Sequence, residues 1–270
     1  MKKTWVLYSV FGLIFYLLFL LATMPAGWFA WGLDRFTDHA VRLDPLEGSL
    51  WSGKGKLVVY YPQNVPNDFG DIEWRINPFW LFAGKIQLSC QAGAADGGSH
   101  ATLRLGYKQI QFLNTDTKIS AKSISTFYPA AGMISPQGQI NLRTDKLTIS
   151  REGADGTAIL LWQDAGSALS PVKPLGDYRV ELTGAGKSAR LQLTTLRGAL
   201  DLSGEGQWQI ESGQVQLTGS ANPRERAAEL EPLLKFIGND IGNGKRTMKI
   251  DALLPAIKLS AANASSQKKN

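Results

Sequence analysis

A strict alternation of apolar and polar residues runs through the second half of the chain. "QWQIESGQVQLTG" sets Trp208 and Ile210, then Val215 and Leu217, against Gln207, Gln209, Gln214 and Gln216, with Ser212-Gly213 between the runs. Successive side chains of a strand point to opposite faces, so this pattern buries one face of an antiparallel hairpin. "YRVELT", "ARLQLT" and "ALDLSG" repeat it with Val180 and Leu182, Leu191 and Leu193, and Leu200 and Leu202. "KIQLSC", "ATLRLG", "QGQINLRTDKLTI", "TMKIDA" and "AIKLSA" carry it through the rest. The expected class is therefore mainly β.

Helical grammar is sparse. "NPFWLFAG" offers Asn77 as a cap, Pro78 at the first helical position and Gly84 just past the end. "NPRERAAELEPLLKFIG" repeats this with Asn222 as cap, Pro223 at the first position and Glu225 as the capping-box acid, and Pro232 is expected to bend or split the segment. "STFYPAAG" is a further helix candidate.

The N-terminus reads differently. After Lys2 and Lys3 no charge appears before Asp34, and Trp5 to Gly27 is long and apolar enough to cross a bilayer as a helix. "LATMPAGWFAW" offers a weak cleavage site and continues with Trp28, Phe29 and Trp31, which suit an interfacial belt. The reading is an uncleaved signal anchor over 5–31, with cleavage as the alternative. Lys2 and Lys3 place residues 1–4 in the cytoplasm, and the remainder is exported.

"EGSLWSGKGKLVVYYP" imitates a phosphate-binding loop through Gly48, Gly53 and Lys54. Gly55 replaces the metal-reaching hydroxyl, and the β-branched and aromatic run that follows is a strand rather than the helix such a loop requires. The glycines read as turn and bulge residues at a strand entrance.

The formal net charge is +6, but Lys2, Lys3, Lys268 and Lys269 supply four units, leaving +2 for the body. With no basic stripe interleaved with aromatics, nucleic acid is excluded as a partner. One cysteine, Cys90, permits no intramolecular disulfide. The two histidines, His39 and His100, have no carboxylates at ligand spacing, and no Gly-x-Ser-x-Gly elbow is present, so neither metal, cofactor nor catalysis is expected. Asp34, Asp38, Asp44 and Glu47, mixed with Arg35 and Arg42, read as a solvated juxtamembrane linker over 32–45.

A duplication is visible in "IEWRINPFWLFAGKIQL" and "LLWQDAGSALSPVKPLGDYRVEL". The spacing from Trp74 to Trp162 equals that from Ala101 to Ala189, which open "ATLRL" and "ARLQL". Two copies of one β-rich unit are expected, 46–150 and 151–260, forming a curved antiparallel sheet or two domains, with a disordered tail over 261–270. Trp51, Trp74, Phe79, Trp80, Phe82, Trp162 and Trp208 either fill the core or give the sheet an apolar face for acyl chains or a partner's strand. The candidate groove is Leu193, Leu202, Trp208, Ile210, Val215 and Leu217.

The anchor, "LEGSLWSGKGKL", "WRINPFWLFAGKIQL" and "LLWQDAGSALSPVKPLGDYRVEL", in that order, make the chain resemble the type II secretion system protein N family, also called general secretion pathway protein N. The resemblance covers almost the whole chain. It implies a single-pass inner-membrane protein of a Gram-negative envelope with a periplasmic β-rich domain, accessory to the export of folded proteins across the outer membrane. Its partners would be other secretion components and the inner-membrane bilayer. It also implies a distant likeness to AsmA-like envelope proteins with lipid-accommodating grooves, which gives lipid handling as the alternative. No catalytic or cofactor residues carry over. The signature positions are structural: Gly48, Trp51, Gly53, Trp74, Pro78, Gly84, Trp162 and Gly176, with Trp51 expected under the sheet and Lys54 solvated.

Overall fold

The computed structural model describes residues 2–37, 39, 41–60, 66–93, 98–127, 129–242 and 244–253, and the chain divides into two compact units, Met1–Gly98 and Ser99–Asn270. "AIKLSA" and the 261–270 tail lie outside the described residues.

The first unit opens with α1 (Lys2–Ala22) and α2 (Gly27–Phe36), followed by β1 (Val41–Gly48), β2 (Ser52–Tyr60), β3 (Pro66–Asn77), a 3₁₀ turn (Pro78–Ala83) and β4 (Ile86–Ala92). Each strand pairs antiparallel with the next. Among the described residues no helix is long and apolar enough to cross a membrane. The side chains of α1 are described only from Tyr8 onward, and Leu18 is excepted.

The anchor expected over 5–31 is not one helix. The Thr23 hydroxyl donates back to the Phe19 carbonyl, and Pro25 bridges to Ser49. The Ala26 N–H is drawn to the Gly48 carbonyl at 3.3 Å, so the sheet takes up the backbone that would have continued the helix. Helix α2 then packs on β1, with Phe29, Ala30 and Leu33 against a core of Ala26, Leu43 and Trp74. Phe29 is thus a core residue rather than part of an interfacial belt, while Trp28 and Trp31 stay exposed. Much of the expected 32–45 linker is structured: residues 32–36 belong to α2, and 41–45 to β1.

The second unit is a meander of β5 (Ser99–Leu105), β6 (Gln109–Ser120), β7 (Gln137–Ser150), β8 (Gly153–Gly166), β9 (Gly176–Ala185), β10 (Ser188–Gly198), β11 (Leu200–Gln209), β12 (Gln214–Pro223) and β13 (Arg246–Leu253). Every neighbouring pair is antiparallel, as the alternation requires. Leu191 faces Leu182, Leu193 faces Val180, and Trp208 faces Val215. The Ser212-Gly213 turn closes with the Gly213 N–H on the Gln209 carbonyl.

"STFYPAAG" forms a one-turn helix, α3 (Ile124–Phe127), and a 3₁₀ turn (Pro129–Met133). The last helix, α4 (Ala227–Ile237), starts later than its sequence grammar suggests. Pro223 is held at the end of β12 opposite Leu200, and the Arg224 and Glu225 N–H groups bond to the Ala199 carbonyl. The expected cap at Asn222 is therefore spent on the sheet. Arg226 occupies the cap position in the left-handed region and pairs with Glu229 instead. Pro232 does not split α4. It lies in the second turn, where its ring forfeits the bond to a single carbonyl. Leu230, Leu233 and Leu234, all buried, hold the helix against Val172, Leu175, Leu200 and Ala221.

Candidate functional site

The segment that mimics a phosphate loop turns out to be a clamp on the end of α1. Gly48 has φ +102°, and a Cβ there would lie 2.5 Å from the Ser52 carbonyl oxygen. A Cβ on Gly53 would lie 2.5 Å from both the Glu47 carbonyl and the Trp74 ring. Bare backbone at both positions lets the β1–β2 turn close over Trp74. Trp74 is 2% exposed, stacks on Phe29 at 4.6 Å and donates from Nε1 to the Leu50 carbonyl at 3.2 Å.

Trp51 does not take the place expected of it under the sheet; Trp74 fills that place. Half-buried at the turn, Trp51 donates from Nε1 to the Leu21 carbonyl at 2.8 Å, and the Leu50 N–H donates to the Met24 carbonyl at 2.8 Å. Carbonyls at a helix end lack intrahelical partners. The turn supplies a donor to one of them, Leu21, and another to Met24 just past the helix, so α1 is tied to the sheet where it ends. Lys54 is exposed and sits 3.0 Å from the Glu47 carboxylate. Its hydrogen bond with Glu47 holds the ammonium pKa above its usual range.

Beyond this clamp, β3 leads into the Pro78–Ala83 turn. The Asn77 side chain accepts from the Phe79 N–H at 3.1 Å, Pro78 follows, and Gly84 closes the turn in the left-handed region, as the sequence predicts.

His39 Nδ1 lies 2.5 Å from Asp34, which also takes Arg42 at 3.4 Å, and all three are partly or largely exposed. Cys90 lies opposite Trp74 in the ladder, and burial pushes its thiol up to about 11. Such a thiol is a poor nucleophile at neutral pH. Among the described residues no group of His, Cys, Asp or Glu is placed to hold a metal ion.

In the second unit Trp162 donates to the Gln137 carbonyl at 2.8 Å and tilts against Tyr178, their rings 5.8 Å apart. A Cβ on Gly176 would lie 2.5 Å from the Arg197 carbonyl and 3.0 Å from the Tyr178 hydroxyl, which donates to the Leu200 carbonyl at 3.0 Å. Burial, with help from Asp201 and Asp177, raises the pKa of that phenol. Next to it, Asp177 accepts from the Asp164 N–H at 2.8 Å and from the Arg197 guanidinium. Burial alone would raise this carboxyl, but the two donors together hold it below the usual carboxylate range. The alternation gave no sign of this contact, because its partners come from three different strands.

The candidate groove residues do share one side of the sheet. Leu193, Trp208 and Leu217 are buried; Leu202, Ile210 and Val215 are half-buried. Their neighbours are Leu191, Ala189, Tyr178 and Met248 of the same unit.

The family model for type II secretion system protein N matches residues 39–249, which spans both compact units. No curated protein and no solved structure matches the chain. The matched region contains the clamp turn, the Asn77–Gly84 turn and the strand meander from β5 into the first half of β13, and on it the chain belongs to the type II secretion system protein N family.

Proposed function

We propose that this protein is a non-enzymatic subunit held in the inner membrane by α1, with its N-terminus cytoplasmic and both β-rich units periplasmic. Family membership gives it an accessory role in type II secretion. The observation that carries the anchoring is the unpartnered state of α1. From Tyr8 to Leu21, each large apolar side chain with described surroundings is at least 40% exposed, including Phe11, Phe15 and Phe19. Water would make so many exposed apolar groups costly, whereas lipid would not.

The docking of other secretion components is assigned by strand addition to the edge of β13 that no strand covers among the described residues. The two terminal strands differ in a way that supports this. Strand β1 carries Pro45 and a register shift between Leu43 and Leu46, features that discourage pairing. By contrast, β13 pairs with β12 in unbroken register from Ala221–Arg246 to Gln214–Leu253 and contains no proline. Ile250 and Leu253 are exposed along it. Burial of Leu193, Trp208 and Leu217 favours a packed core over an open lipid groove.

The test is in-cell photocrosslinking with a photoreactive residue at Lys249, which is exposed, and separately at Leu217. Adducts from Lys249 to other secretion subunits, with only internal links from Leu217, are expected. Lipid adducts from Leu217 would make this a lipid-handling protein instead.

A further inference from the structure

Among the described residues of the first unit outside α1 and α2, the exposed aromatic side chains are both in the Pro78–Ala83 turn. Phe79 is 77% and Phe82 91% exposed, with Leu81 and Ile86 also exposed beside them. The turn is preorganised: the Asn77 cap, Pro78 and left-handed Gly84 fix its ends, the Gly84 N–H reaches the Leu81 carbonyl at 2.9 Å, and the Lys85 N–H reaches the Trp80 carbonyl at 3.0 Å. Nothing charged lies within it, while Arg75 and Lys85 flank it.

Its place in the fold identifies what covers it. The Ile76 N–H, at the end of β3, donates to the Trp51 carbonyl at 2.6 Å, and the Trp51 indole donates to the Leu21 carbonyl at the end of α1. Two hydrogen bonds therefore separate the root of the turn from the point where α1 leaves the sheet. Trp28, exposed in the first turn of α2, starts from the same end, because Pro25 and Ala26 are tied to Ser49 and Gly48. Six residues back along β3, about 20 Å away at strand rise, the exposed side chain is Asp71. Exposed aromatics thus gather where α1 departs.

We infer that the Phe79–Phe82 turn is a wedge that enters the headgroup and acyl boundary of the bilayer through which α1 passes, with Arg75 and Lys85 facing lipid phosphates. Aromatic side chains favour that boundary, and cations beside it gain from anionic headgroups. The wedge would fix the tilt and height of the first unit over the membrane. The inference rests on the reading of α1 as an anchor.

The experiment uses the purified full chain in vesicles of phosphatidylethanolamine and phosphatidylglycerol. An environment-sensitive fluorescent amino acid replaces Phe82, Phe15 in α1, or Asp71, one at a time, and quenching by brominated acyl chains and by aqueous iodide is measured. Because Phe82 is 91% exposed, its replacement leaves the core intact. Strong lipid quenching at Phe15 and Phe82, with none at Asp71, is expected. Quenching at Phe15 but not at Phe82 would overturn the wedge and leave the anchor standing. An unquenched Phe15 would remove the anchor and the wedge together. A Phe82 probe shielded from iodide without lipid quenching would assign the turn to a second copy of the chain and also overturn the wedge. As a further check, Phe79→Asp should make the Phe82 probe several-fold less sensitive to brominated lipid.

Discussion

Trp74 and Gly53 act as one piece, since the ring can be covered only because residue 53 has no side chain. Trp74→Ala should cost about 3–5 kcal/mol, the range for emptying a large aromatic site. Gly53→Ala should destabilise by about 1–3 kcal/mol despite adding only a methyl group, because the added carbon meets backbone and a buried ring at once. Urea denaturation of both variants checks this, and a neutral Gly53→Ala would mean that the turn can shift away from the indole. Asp177 gives a prediction in pH. Its folded pKa is depressed, so its contribution is fully present above the ordinary aspartate value of about 3.9 and is lost as pH falls through the lower folded value. In Asp177→Asn the stability near pH 7 should drop and the acid limb of stability against pH should flatten below about pH 4. Urea midpoints taken from pH 2.5 to pH 7 report it, and an unchanged slope would place the acid sensitivity on other carboxylates.

At the scale of elements, α4 seals one end of the second unit's core with Leu230, Leu233 and Leu234. Leu234→Ala should cost about 2–5 kcal/mol, and because Leu234 is 1% exposed it belongs toward the upper part of that range. Thermal or urea unfolding measures it; a cost under about 1 kcal/mol would mean that α4 docks only loosely. The same helix marks where sequence reasoning reached its limit. Alternation located the hairpin at Ser212-Gly213 and the apolar face that holds Val180, Leu182, Leu191 and Leu193, because a strand's side-chain period belongs to the strand itself, whereas the register that sets Leu191 against Leu182 belongs to the fold. The Asn77–Gly84 turn was equally legible, since its cap, proline and left-handed glycine are adjacent in sequence. The start of α4 was not, because Asn222 and Pro223 are claimed by β12 through pairing with β11, a tertiary choice that overrides local capping grammar. The break at Pro25 escaped for the same reason: an apolar run gives no sign that Gly48 will draw off the Ala26 N–H. Trp51 and Trp74 looked interchangeable as sequence, and only the fold distinguishes a clamp from a plug.

Across the whole molecule, the compact units divide at Gly98 and Ser99, whereas the repeat expected from the sequence divides the chain near 150. Repetition records which segments resemble one another; compactness records which segments share a core. Among the described residues, the Ala26, Leu43 and Trp74 cluster packs against residues of the first unit, and the clusters around Leu191 and around Leu234 pack against residues of the second. Cooperative unfolding follows shared burial, so two cores without common residues should melt as two transitions. Calorimetry of the full chain in detergent should resolve them. Trp74→Ala should then lower one transition and leave the other in place, and Leu234→Ala should do the reverse. Mutations far apart with no shared partners add, so the double variant should lower both by the sum of the single effects. A single transition that either substitution lowers would mean that the units fold as one cooperative body.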